Sequence, residues 1–91
     1  MARIYIAQID ISGAMAVKIQ SKHGVTPAEV REACQAPNRY TKAGWSDEPD
    51  RGLRLIVVGY SAAGRCLKIV LFPVDIDEGI YRLGTALAAT R

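Results

Sequence analysis

A lysine and the only histidine of the chain stand side by side, at Lys22 and His23. Histidine titrates close to neutral pH, so its side chain can give or take a proton during catalysis. A second role is equally open, because the cation of a histidine at the end of a helix interacts favourably with the helix dipole. His23 is therefore a candidate proton-transfer residue, and the helix that carries it must be considered first.

Charged residues are sorted along the chain. Six of the nine acids fall in two short stretches, whereas Arg54, Lys68 and Arg82 lie within predicted strands and Arg65 opens one. The six acids are Asp47, Glu48, Asp50, Asp75, Asp77 and Glu78. If the strands are neighbours, their cations could converge into a patch that binds phosphate. The alternative is a solvent-facing set that keeps the protein soluble, and the unknown strand register leaves both open.

The remaining reactive side chains give little support for other chemistry. Cys34 and Cys66 form no CxxC pair, and a structural zinc site needs about four Cys or His ligands. We therefore expect no metal and no cofactor, and interpret the cysteines as small buried side chains. Tyr40 and Trp45 could stack on bases or could pack in the core.

Size and composition describe one globular domain over residues 1–91. Hydrophobic residues make up 49% and charged residues 23%, with a net charge of +3. This balance argues against intrinsic disorder. No apolar run approaches the roughly 18 residues of a membrane span, and the first residues lack the pattern of a signal peptide. We expect a cytoplasmic protein with no membrane partner.

The second helix has the clearest local signal. Thr26 and Glu29 have the spacing of a capping box, with a proline at the first helical position. Val25 and Val30 stand where a hydrophobic staple would pack. The pattern predicts a helix over Pro27–Gln35.

The other elements follow from alternation, caps and turns. We predict a strand over Arg3–Ser12, a helix over Ala14–Lys22 that ends at Gly24, and strands over Arg39–Trp45, Leu53–Tyr60, Arg65–Phe72 and Ile80–Leu87. This β-α-α-β-β-β-β order predicts an α+β fold, an antiparallel sheet of four to five strands with both helices on one face. The opposite face should be partly open.

Three segments resemble the BrnT-like toxins of bacterial toxin–antitoxin pairs. The run Lys22–Val30 is similar to the family's Lys-His-Gly, hydrophobic, Ser/Thr-x-x-Glu stretch. Arg54–Gly59, followed by Gly64-Arg65, resembles its paired strands, and Tyr81–Arg91 resembles its closing strand. The likeness covers most of the chain from Lys18 onward. It implies the fold of the wider RelE/ParE-like group, a metal-independent ribonuclease activity, and an antitoxin-like protein as partner.

The resemblance also assigns roles to residues. Catalysis would fall to Lys22, His23 and Arg82, and nucleic-acid binding to Arg54, Lys68 and Arg65. The sequence departs from the family at Leu87, where an arginine is usual, and at Leu53, where an acid is usual. A catalytically silent module that binds a protein partner or nucleic acid is therefore the alternative function. A homodimer formed through the open sheet face or an edge strand is a third hypothesis.

Overall fold

A computed structural model describes residues 4–35, 40–50 and 52–89. These residues form five strands and two helices in the predicted order. The elements are β1 (Gln8–Asp10), α1 (Gly13–His23), α2 (Pro27–Gln35), β2 (Tyr40–Glu48), β3 (Gly52–Tyr60), β4 (Cys66–Asp75) and β5 (Ile80–Ala88). Within the described chain, neither helix is long and apolar enough to cross a membrane.

The strands form one sheet in the order β1-β5-β4-β3-β2. Strands β2 to β5 pair antiparallel with their neighbours in sequence, as short turns between them require. The predicted α+β fold is confirmed. Strand β1 pairs parallel with β5 at the edge of the sheet, and Ile9 is opposite Tyr81. A parallel pair needs a long connection between its strands, and here both helices and strands β2 to β4 lie between β1 and β5 in the chain.

Both helices are closed by the local signals that the sequence contains. The Ser12 hydroxyl accepts a hydrogen bond from the Met15 amide at 3.1 Å, and Gly24 takes the left-handed conformation with φ 64°. The Thr26 amide donates to Glu29 Oε1 at 3.0 Å, and the Glu29 amide donates to Thr26 Oγ1 at 3.2 Å. The predicted capping box and the bounds of α2 are therefore confirmed.

The hydrophobic core lies between the helices and one face of the sheet. Its buried members from the helix layer are Ile19, Val25, Val30, Ala33 and Cys34, and those from the strands include Leu55, Val57, Leu67, Ile69, Leu71, Tyr81 and Leu83. Burying a side chain of this size stabilises the fold by about 1.5–3 kcal/mol. The sheet therefore has a covered "helical face" and an opposite "open face", as predicted.

Several strand boundaries differ from the predictions because pairing between strands outweighs local composition. Strand β1 covers Gln8–Asp10 within the predicted Arg3–Ser12, of which Arg3 lies outside the described residues. Strand β2 continues to Glu48, where pairing with Gly52 holds acidic residues in the sheet. Strand β4 continues past Phe72 to Asp75, which pairs with Ile80. The beginning of the predicted Arg39–Trp45 strand, at Arg39, lies outside the described residues.

Candidate functional site

The strand register decides where the predicted phosphate-binding cations lie. Leu55 and Leu71 are opposite one another and fully buried on the helical face. Side chains alternate along a strand, so Arg54 and Phe72, one residue away from them, belong to the open face. Phe72 is opposite Arg82. Arg54 and Arg82 thus flank Phe72 in one row across three strands.

Lys68 lies on the same face, because it is separated from Phe72 by four positions on β4. Its cross-strand partners are Val58 on β3 and Leu87 on β5. Four residues of strand span roughly 13 Å, so Lys68 stands well away from the row that contains Arg82. The three cations predicted to bind phosphate share a face, but they do not converge on one point.

A glycine shapes the surface around Arg82. Gly84 lies at an irregularity in the β4–β5 register, and a Cβ atom placed on it would stand 2.5 Å from Cε2 of Phe72. The missing side chain gives room for the Phe72 ring. The Arg82 guanidinium carbon in turn lies 5.9 Å from the centre of that ring, within the range of a cation–π contact. The sequence prediction did not include Phe72 or Gly84 in the site.

Arg54 is already ion-paired. Its Nη2 atom lies 3.0 Å from Glu48 Oε1, and its side chain is only 13% exposed. The Nε atom of Arg54 is buried and has no hydrogen-bond partner within the described structure. The nearby carboxylate offsets the positive charge of this arginine, which leaves Lys68 and Arg82 as the exposed cations of the three.

Arg65 serves the fold directly. Its Nη1 atom donates to the carbonyl of Gly24 at 2.7 Å, and its Nη2 atom donates to the carbonyl of His23 at 3.2 Å. Nη1 also lies 3.5 Å from Glu29 Oε2. The arginine therefore satisfies carbonyls at the end of α1, where a cation is favoured, and connects them to the start of α2.

Lys22 and His23 occupy the last turn of α1, in the helix layer and beside Arg65. Arg82 lies on the open face near the other end of β5. Cys66, next to Arg65, is close to the end of β5, since the Ala89 amide donates to its carbonyl. Arg82 and Ala89 are seven positions apart, which corresponds to roughly 20 Å along a strand. The structure thus brings Lys22 and His23 together with Arg65 and does not bring them together with Arg82.

The two positions that depart from the toxin family carry exposed or half-buried leucines. Leu87 is on the open face opposite Lys68 and is half-buried. Leu53 is 38% exposed at the start of β3, opposite Asp47. Leu87 therefore adds an apolar side chain beside Lys68 on the open face.

The cysteines and Trp45 have packing roles in the part of the chain described. Cys34 is buried, as predicted, and burial raises the pKa of its thiol from 9.0 to about 12. Cys66 is a half-buried free cysteine. The Trp45 ring lies 6.2 Å from the Tyr81 ring on the helical face, so it packs there. The side chain of Tyr40, the other stacking candidate, lies outside the described residues.

No known family model matches the chain, and comparison with curated proteins and with solved structures gives no significant match.

Proposed function

We propose that this chain is a cytoplasmic, toxin-like protein of a bacterial toxin–antitoxin pair that acts as a catalytically silent binding module. Its open face binds an acidic, amphipathic segment of an antitoxin-like protein. The observation that carries the proposal is the composition of this face, on which exposed cations stand among and beside apolar side chains. The family assignment within the proposal rests on the sequence resemblance.

The side chains at the centre of the open face are apolar. Ile56 and Val58 on β3, Val70 and Phe72 on β4 and Leu87 on β5 form it, and all but Val70 are half-buried. A protein segment can cover such side chains with its own apolar residues, which is how the core of a protein interface forms. Phosphate groups gain nothing from contact with them.

Exposed cations stand among and beside these apolar side chains. Lys42, Lys68 and Arg82 are exposed on the open side, and Lys68 lies between Val58 and Leu87. The exposed acids Asp10 and Glu48 are also on this side. Cations beside apolar residues fit a partner with acids beside its own apolar residues, and they would also steer its approach.

Two observations disfavour catalysis and RNA stacking. A general acid or base must come within hydrogen-bond reach of the reacting group, whereas His23 lies at the opposite end of β5 from Arg82. Binding of single-stranded RNA commonly uses several exposed aromatic rings. On the open face, among the side chains that the structure describes, the aromatic rings are Phe72, which Arg82 covers, and the half-buried Tyr60 at the end of β3.

The test is titration calorimetry against the protein encoded by the adjacent reading frame. We expect Val58→Glu to weaken binding by about tenfold or more, since it puts a charge among the apolar contacts. Val17→Glu is the matched control, because Val17 is 67% exposed on α1. Absence of binding, or equal weakening by both variants, would contradict the proposal.

A second assay separates binding from catalysis. Purified protein is incubated with mRNA in EDTA, and RNA binding is measured across a range of salt concentrations. We expect intact RNA and no tight binding. Cleavage that disappears in His23→Ala would establish the ribonuclease instead. RNA binding that weakens steeply with salt would establish nucleic acid as the ligand of the open face.

A further inference from the structure

The acidic stretches of the sequence come together at one end of the sheet. Because β2, β3, β4 and β5 form antiparallel pairs, the β2–β3 and β4–β5 turns lie at the same end, and the β3–β4 turn lies at the other. Segments 47–54 and 75–78 contain six acids and two arginines. All six acids are exposed, and one of the arginines, Arg54, is paired with Glu48. We call this region the acidic end.

Exposed apolar side chains collect at the same end. Six large hydrophobic residues of the described chain are exposed, and five of them belong here: Tyr5 (56%), Trp45 (39%), Leu53 (38%), Val74 (59%) and Ile76 (45%). Scattered exposed apolar residues are ordinary, but a group at one place indicates an interaction surface. The sixth, Val17, lies on α1.

Part of this surface belongs to the helical face. Trp45 is opposite the buried Leu55, and Asp47, two residues further along β2, is opposite Leu53. Trp45 and Leu53 therefore point to the same side as the core, with the acid beside them. The Trp45 ring packs beside the Tyr81 ring and is still 39% exposed, so part of it faces solvent.

The rest of the surface is held by the β4–β5 turn. A Cβ atom on Gly79 would stand 2.8 Å from Cδ2 of Tyr5, so the tyrosine ring rests on the glycine. The amides of Ala7 and Gln8 donate to the Gly79 carbonyl at 2.8 and 3.0 Å. The Gly79 amide donates to the Ile76 carbonyl at 3.2 Å. These bonds fix Tyr5 and Ile76 around one turn, so the surface is formed before any partner binds.

We propose that the acidic end is a second docking surface, which binds a basic amphipathic segment of a partner protein. The apolar side chains would cover the partner's apolar residues, and the surrounding carboxylates would pair with its lysines or arginines. Carboxylates repel nucleic acid and acidic peptides, so the charge selects the class of ligand. The surface shares Glu48 and Arg54 with the edge of the open face, but its ligand carries the opposite charge, and the inference does not depend on the antitoxin proposal.

The test uses a labelled amphipathic peptide of leucine and lysine, with a leucine–glutamate peptide as the charge control. Fluorescence anisotropy measures the affinity for the full chain. Trp45 is the only tryptophan, so its emission reports on contact at the site. We expect saturable binding of the lysine peptide with a blue shift of that emission, and no binding of the glutamate peptide.

Variants then locate the bound peptide. We expect the double variant Asp47→Lys and Asp77→Lys to weaken binding by about tenfold or more, and Ile76→Ser by about threefold. Asp10→Lys and Val17→Ser are the matched controls, because both residues are exposed outside the acidic end. We expect both controls to bind as the wild type does.

Three results would overturn the proposal. They are no saturable binding of the lysine peptide, equal weakening by the control variants, and binding with unchanged tryptophan emission. Sedimentation of the protein alone is measured over a range of concentrations. Self-association that Ile76→Ser abolishes would show that a second copy of this chain, and not a basic partner, occupies the surface.

Discussion

The two faces of the sheet use the same strands for different purposes. On β4, Leu67, Ile69 and Leu71 are fully buried under the helices, whereas Lys68 and Phe72 between and beside them are exposed or half-buried on the open face. The helical face carries the hydrophobic stability of the domain. The open face contributes less to stability, so its residues can be suited to binding without loss of the fold.

Two arginines show how strongly the location of a residue determines its role. Arg65 donates to two carbonyls at the end of α1 and approaches Glu29. Arg82 is exposed on the open face above Phe72. The sequence offered both as ligands of nucleic acid or catalytic groups. Only the contacts separate an arginine that holds helices together from one that can meet a partner.

The largest expected effect compares isoleucines on the two faces. Ile69 is fully buried against the helices, and Ile56 is half-buried on the open face. We expect Ile69→Ala to lower the free energy of unfolding by about 2–5 kcal/mol, and Ile56→Ala by about 1 kcal/mol, because only the first leaves an enclosed cavity. Urea denaturation measures both. Equal losses would show that the open face is as tightly packed as the core.

A pair of glycines tests the packing within the open face. A methyl group on Gly84 would collide with the Phe72 ring, whereas Gly44 has no atom within 4 Å of the corresponding position. We expect Gly84→Ala to destabilise the protein by about 1–3 kcal/mol. Gly44→Ala should be neutral or slightly stabilising, because alanine loses less backbone entropy. Thermal unfolding of the two variants decides the matter, and equal melting temperatures would contradict the assigned position of the ring.

A pH-dependent effect comes from Cys34. The pKa of Cys34 is raised by burial to about 12 from 9.0, so the folded protein keeps this thiol neutral while the unfolded chain ionises it above pH 9. The contribution of the neutral thiol to the free energy of unfolding is complete below pH 9. It is lost between pH 9 and 12, at up to about 1.4 kcal/mol per pH unit.

The measurement is the free energy of unfolding from pH 8 to pH 11. Wild type should lose stability more steeply than Cys34→Ala, even though the variant starts lower because of the cavity. Identical slopes for wild type and Cys34→Ala would mean that this thiol is not shielded from water.

Predictions that depended on nearby residues were accurate. The bounds of α2 follow from Thr26, Glu29 and the proline between them, because a capping box acts within one turn. Gly24 ends α1 for a similarly local reason. The strand predictions were correct in number and order, but β1 and β2 had different bounds, since strands end where pairing with a neighbour ends and not where composition changes.

The site could be predicted only in part. The sequence contained Arg54, Lys68 and Arg82 on separate strands, but the ion pair of Arg54 with Glu48 depends on how β2 lies against β3. Phe72 was not singled out, because its position below Arg82 follows from the β4–β5 register. The catalytic roles of Lys22, His23 and Arg82 stay predictions.

The sequence by itself determined the order of the elements, the two capped helices and the alternation that buries one side of each strand. These features depend on contacts within a few residues and on the burial of apolar side chains. The tertiary structure decided that three cations share the open face without meeting, that Arg65 is bound to the helix ends, and that the acids gather at one end. Each of these depends on hydrogen-bonded register between distant strands, which no local pattern encodes.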